Sequence, residues 1–280
     1  MASTVREVTI EALTERYAVL LLDAYGVLVH SSGALPGAAQ LIRRMNESGK
    51  PYYVITNDAS KLPATGAARY RGYGLDLDPE RIITSGTLLA PHFAAHGLVG
   101  RRCAVLGPAD SMAYVEQAGG RLVSPTDGFD VLVVCDESGF PFLETVDAAL
   151  NGLFAALDRG QAVHLILPNP DLIYPSAQGF GIASGSVALM LEAALRIRYP
   201  ARPELRFTRL GKPHRAIFDE ALRRSGTRDM VMIGDQIETD IRGARAFGLD
   251  AALVMTGVTV DGTAAASADA RPTYVIRSLA

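Results

Sequence analysis

The sequence predicts an α/β protein built on a doubly wound parallel sheet. Short unbroken runs rich in Val, Ile and Leu recur along the 280 residues, and most are separated by longer stretches with helical spacing of apolar positions. Strands buried on both faces read as continuous apolar runs, and parallel neighbours need crossover helices between them. In such sheets ligands bind beyond the carboxyl ends of the strands. The residues that follow each apolar run are therefore the ones to read for function.

Taken in order, the first run covers 18–22 and ends in Asp23, with Gly26 close behind to allow a tight turn. A helical stretch, 36–48, leads to a second run, 52–55, which exits on Thr56 and Asn57. The runs at 103–106 and 131–135 exit on "LGPAD" and "CDESGF", which carry no matching constellation; Asp136 and Glu137 offer carboxylates there without a readable geometry. A helical stretch at 145–158, a run at 163–167 and the segment "NPDLIYP" follow, and the last contains Asn169 and Asp171. "RLGKPHRAIFDEAL" then sets Lys212 before a helix over 213–225, with Pro213 at an ordinary place for a helix start. The run 230–233 exits on Gly234 and Asp235, with Asp240 five residues later; two more runs, 251–255 and 274–276, close the chain. The change in character of the exits predicts core segments at 1–84 and 176–280, with an inserted domain over 85–175.

Bulk properties narrow the function. Hydrophobic residues at 49% and charged residues at 20% fit a soluble globular protein, not a disordered chain. A net charge of −3 gives no field for nucleic acid or an anionic membrane, but a small anionic substrate needs only local charge. The two cysteines, Cys103 and Cys135, sit in apolar runs without metal or redox spacing. Residues 1–17 are too polar for a signal peptide, and a cytoplasmic location is expected.

Taken singly, the polar exits have ordinary explanations. Asp23 could cap a turn, Thr56 and Asn57 could start a helix, and Lys212 could be a solvated surface lysine. His30 and His214 read as surface residues or as outer neighbours of the site, not as ligands. Asp235 with Asp240 is the strongest element, since two acids after one strand suit a hard divalent cation better than they suit capping. Together the four exits, with "DAYGV", "ITN", "GKP" and "GDQIETD" in chain order, resemble the four motifs of the haloacid dehalogenase superfamily, most of whose members are Mg²⁺-dependent phosphatases. With "PNPDLIYP", "GSVALMLEAAL" and "RPTYVIRSL" the resemblance is to subfamily IIA, which contains the para-nitrophenyl phosphatase-like and N-acetylglucosamine-operon phosphatases. About thirty residues separate Asp23 from Thr56 and about one hundred and fifty separate Thr56 from Lys212. The resemblance then implies a Rossmannoid core with an α/β cap of C2 type in the later gap.

It also implies roles. Asp23 attacks phosphorus and forms an aspartyl-phosphate. Mg²⁺ is held by Asp23, the Tyr25 carbonyl, Asp235 and Asp240. Thr56, Asn57, Asp58 and Asn169 contact the substrate, and Lys212 neutralises both carboxylate and phosphate. The implied partner is a small phosphorylated metabolite, and caps of this subgroup often form homodimers; no nucleic-acid or membrane partner is implied. Tyr25 departs from the pattern, because phosphatases of the family carry an aspartate two residues after the nucleophile as general acid and base. A phenol with a pKa of about 10 is a poor substitute, and general acid–base catalysis is worth roughly 10²–10⁴-fold. The expectation is a phosphatase that is slow on alkyl phosphates. Two alternatives stay open: a protein that binds a phosphorylated ligand without turnover, and a 2-haloacid dehalogenase, whose first motif also carries this tyrosine.

Overall fold

The computed structural model describes residues 5–176, 179–255 and 270–280. The expected domain ranges also include residues 1–4, 177–178 and 256–269, which lie outside the described residues. In chain order the first elements are β1 (Arg6–Glu7), α1 (Ile10–Arg16), β2 (Val19–Leu22), β3 (Val29–His30), β4 (Gly33–Ala34), α2 (Ala38–Ser48), β5 (Tyr52–Thr56), α3 (Pro63–Gly72) and β6 (Ile82–Thr84). Next come α4 (Leu89–His96), β7 (Arg102–Leu106), α5 (Ala109–Gln117), β8 (Arg121–Leu122), β9 (Val131–Val134), α6 (Phe142–Asp158) and β10 (His164–Leu167). The chain continues through β11 (Ile173–Ser176), β12 (Gly179–Ile182), α7 (Ser184–Arg198) and β13 (Thr208–Arg209). It closes with α8 (Arg215–Ser225), β14 (Met230–Gly234), α9 (Arg242–Phe247), β15 (Asp250–Val254) and β16 (Tyr274–Ile276). No helix among the described residues is long and apolar enough to cross a membrane.

Two compact units form. The first comprises Met1–Thr56, Pro63–Ile83 and Lys212–Ala280. Its sheet has the order β1-β16-β15-β14-β2-β5-β6. The pairings of β2 with β5 and β14, and of β15 with β14 and β16, are parallel. Every residue of β2 and β14 is buried, as expected of strands covered on both faces. From Leu20 and Leu22 the apolar core extends over Ile10 and Leu13 of α1 and Leu41, Ile42 and Met45 of α2. α2 stops at Gly49, whose φ of 68° is left-handed and whose N–H closes the last turn on Asn46. From β2 the chain moves outward through β5 and β6, then returns to β14 on β2's other side. That reversal makes the carboxyl ends of β2 and β14 the switch point where ligands bind. Register aligns the two ends, Leu22 pairing with Ile233, so that Asp23 and Gly234–Asp235 emerge together.

The second unit comprises Asn57–Leu62 and Thr84–Gly211. Its sheet, β13-β10-β9-β7-β8, is parallel at every pairing. The expected return to the core at residue 176 is displaced to Lys212. Two contacts explain this. Val187, Ala188, Leu191 and Leu195 of α7 belong to the core of this unit, and β13 pairs with β10. The buried Glu192 carboxylate ties the two together by accepting Phe207 N–H at 2.8 Å and Arg209 at 3.1 Å. Residues 57–62, expected in the core, also belong here: Ser111 Oγ donates to Ala59 O at 2.7 Å, Tyr114 OH to Lys61 O at 2.6 Å, and Leu62 N–H to Asp110 Oδ2 at 2.9 Å.

Candidate active site

Asp23 follows β2 directly and is 5% exposed; its N–H donates to Ile233 O at 2.9 Å, which locks the loop to β14. Asp235 and Asp240 are wholly buried. A single wide turn, Ile237–Ile241, brings Asp240 back under the strand end, where its Oδ2 accepts the N–H groups of Asp235 and Gln236, each at 3.1 Å. Gly234 is required at this close approach, because a Cβ there would overlap the Asp240 carboxylate. Oxygens of Asp23, Asp235 and Asp240 all lie within 4.8 Å of one another.

Lys212 reaches into this group and is 2% exposed. Its Nζ donates to Asp23 Oδ1 at 2.6 Å and stands 2.7 Å from Asp240 Oδ1. Ala24 N–H also donates to Asp23 Oδ1, at 2.7 Å. Burial pushes the Asp23 carboxyl well above the usual carboxylate range; Lys212 opposes this, and Asp240 and Asp235 add to it. For Lys212 burial works against the charge, but Asp23 and Asp240 outweigh it and hold the ammonium protonated. The three buried carboxylates are an all-oxygen donor set, and with the single lysine among them the group still carries excess negative charge. That chemistry fits a hard divalent cation.

Tyr25 does not stand alone. Its hydroxyl accepts a hydrogen bond from Arg69 Nη2 of α3, and the guanidinium lies 5.4 Å from the centre of its ring. The same guanidinium lies 5.6 Å from the Tyr73 ring, with Nε donating to the Tyr73 hydroxyl at 3.3 Å. Both hydrogen bonds strengthen the cation against the burial that opposes it. Sequence reasoning missed this pair, since nothing in the spacing marks an arginine 44 residues away on a helix.

Of the other expected residues, Thr56 is buried at the end of β5. Within the second unit Asn57 Nδ2 donates to Asp171 Oδ1 at 2.8 Å, and Asp171 N–H donates to Asn169 Oδ1 at 3.0 Å. Asp58 turns onto its own loop, accepting Ser60 N–H and Ser60 Oγ at 2.7 Å each. His30 is exposed and accepts Ser32 N–H at 3.0 Å, an ordinary turn.

Residues 20–121 match the family model described as haloacid dehalogenase-like hydrolase, and residues 209–280 match a second one described as HAD-hydrolase-like. Dihydroxyacetone phosphatase of Corynebacterium glutamicum (strain R) is 31% identical over 262 residues, covering 93% of this chain and 88% of that protein. The solved structure of a "possible sugar phosphatase, HAD superfamily" from Cytophaga hutchinsonii superposes with a TM-score of 0.83 at 30% identity, covering 99% of each chain. Glycerol phosphate phosphatase of Mycobacterium tuberculosis, solved in complex with magnesium, gives 0.80 at 25% identity over 95% of this chain and 76% of that one. With its acids emerging at the switch point of a parallel sheet, and with likeness spread over nearly its whole length, the chain belongs to the haloacid dehalogenase-like hydrolases.

Proposed function

We propose that the protein is a Mg²⁺-dependent phosphatase of small phosphomonoesters, acting through an aspartyl-phosphate on Asp23. The observation that carries the reading is the buried Asp23 carboxylate at a strand exit, paired with Lys212 and flanked by Asp235 and Asp240. An Asp23 oxygen attacks phosphorus as the bond to the leaving oxygen breaks, and water then cleaves the acyl phosphate at phosphorus to regenerate the carboxylate. Lys212 holds the nucleophile ionised and oriented, and Thr56 with Asn57 and Asp58 receives the substrate. Asp23, Asp235, Asp240 and the Tyr25 carbonyl are the donors we assign to Mg²⁺, which when bound offsets the repulsion between carboxylate and phosphate.

The named relatives are described as a dihydroxyacetone phosphatase, a glycerol phosphate phosphatase and a possible sugar phosphatase, which supports a short polyol or sugar phosphate here. Asn169 stands one hydrogen bond from Asp171 and two from Asn57, and we assign it to the substrate edge. With Tyr25 in place of an acid, turnover of alkyl phosphates is expected to be slower than that of aryl phosphates by about 10²-fold or more. The test is phosphate release from p-nitrophenyl phosphate, glycerol phosphate and dihydroxyacetone phosphate with Mg²⁺ and with EDTA, beside chloride release from 2-chloropropionate. Mg²⁺-dependent phosphate release is expected. Metal-independent chloride release would transfer the protein to the dehalogenases, and silence on every substrate would leave a binding protein.

A further inference from the structure

Tyr25 lies between the nucleophile and a glycine that touches a second member of the carboxylate cluster. Gly26 has a φ of 83°, and a Cβ there would overlap the Asp235 carboxylate. The backbone at 25–26 therefore packs directly on Asp235, and any shift of Tyr25 is felt there. On its inner side the loop is closed on itself: Gly26 N–H donates to Val29 O, and Leu28 and Val29 N–H both donate to Ala24 O, each at 2.9 Å. These bonds fix the shape of the loop and join it to β3 at Val29. The Tyr25 side chain adds a tie to α3. The Tyr25 hydroxyl is taken by Arg69, whose guanidinium lies over the rings of both Tyr25 and Tyr73. Both tyrosines rest against the apolar core of the first unit. Arg69 is thus a cation stacked between two anchored aromatic rings, with a planar fork that bonds both hydroxyls.

We propose that Arg69 is a positioning residue, which ties the nucleophile loop to α3 through Tyr25 and so holds the backbone of residues 25–26 in place against Asp235. In this arrangement Tyr25 is a strut, its hydroxyl accepting from a guanidinium of α3. The inference builds on the phosphatase reading only for its kinetic consequence, since the mechanical link concerns the carboxylate cluster itself. Outer residues that orient ligands in this way commonly change metal affinity by about 10–100-fold when removed.

The experiment compares wild type, Arg69→Gln, Arg69→Lys, Tyr25→Phe and the double variant Arg69→Gln/Tyr25→Phe, with thermal melts to show that each is folded. Mg²⁺ binding is measured by calorimetry, and kcat is measured on p-nitrophenyl phosphate and on glycerol phosphate. The expected result is Mg²⁺ affinity weakened about tenfold in Arg69→Gln and Tyr25→Phe, with the double variant no worse than either single one. Arg69→Lys, which keeps the charge and loses the fork, should recover part of the affinity. The fall in kcat should be the same factor on both substrates. Unchanged Mg²⁺ affinity in Arg69→Gln, or no Mg²⁺ binding by wild type, overturns the proposal. So does a loss confined to glycerol phosphate, which would make Tyr25 a donor to the leaving oxygen. If wild type hydrolyses neither ester, the phosphatase reading fails, and the Mg²⁺ titrations still decide the role of Arg69.

Discussion

Asp23 sits between opposing influences from its neighbours. A carboxylate this deeply buried favours its neutral form, and two further acids within 4.8 Å increase that preference. Lys212 is the opposing charge, and its ammonium bridges Asp23 and Asp240 at 2.6 and 2.7 Å. Asp23→Asn keeps the size and most hydrogen-bonding capacity of the side chain but removes the nucleophilic oxygen. We expect kcat to fall by at least about 10³-fold while the melting temperature changes little. Retention of more than a tenth of wild-type activity would remove Asp23 from the role of nucleophile.

At the scale of elements, a buried carboxylate reinforces the packing of α7 and the pairing of β13 with β10 at the boundary of the second unit. Glu192 of α7 accepts the Phe207 N–H and both of its oxygens meet Arg209, which draws 199–211 onto the sheet beside β10. Removing Glu192 leaves the Phe207 N–H without its acceptor and Arg209 without its counter-charge, and breaking a buried ion pair from one side costs about 3–5 kcal/mol when both partners are fully enclosed. Arg209 keeps 26% of its side chain exposed, so about 2–3 kcal/mol is the expected loss for Glu192→Ala. Glu192→Gln, which still accepts from Phe207, should lose less. Urea unfolding of the three proteins checks the order, and an unchanged midpoint in Glu192→Ala would show that apolar packing of α7 alone holds this segment.

For the molecule as a whole, acid stability has an identifiable contributor in the second unit. Burial, with His96 stacked 4.1 Å away and His164 nearby, pushes the His92 imidazole down to about 4. The unfolded chain therefore binds a proton at His92 between its ordinary pKa of about 6.5 and 4 that the folded chain refuses, so stability falls as pH is lowered through that window. After allowance for solvent around a half-buried ring, the loss is about 1–2 kcal/mol. His92→Gln should flatten the acid limb of the melting temperature between pH 6.5 and 4 relative to wild type. An identical limb in both proteins would assign the acid sensitivity elsewhere.

Sequence alone determined the parallel α/β class and the chain order of Asp23, Thr56, Lys212, Asp235 and Asp240, because continuous apolar runs and polar strand exits are local properties of the chain. It also singled out Tyr25 as the departure, but not its partner: Arg69 meets Tyr25 only because α3 packs beside the loop that follows β2, and sequence spacing carries no record of that contact. The end of the insertion was likewise misjudged at 175, since the pairing of β13 with β10 and the burial of Glu192 are long-range choices. Tertiary structure alone decided which oxygens converge. Alignment of Leu22 with Ile233 and the turn that folds Asp240 under Gly234 bring three carboxylates together, because register between strands is a matter of packing that no single strand specifies.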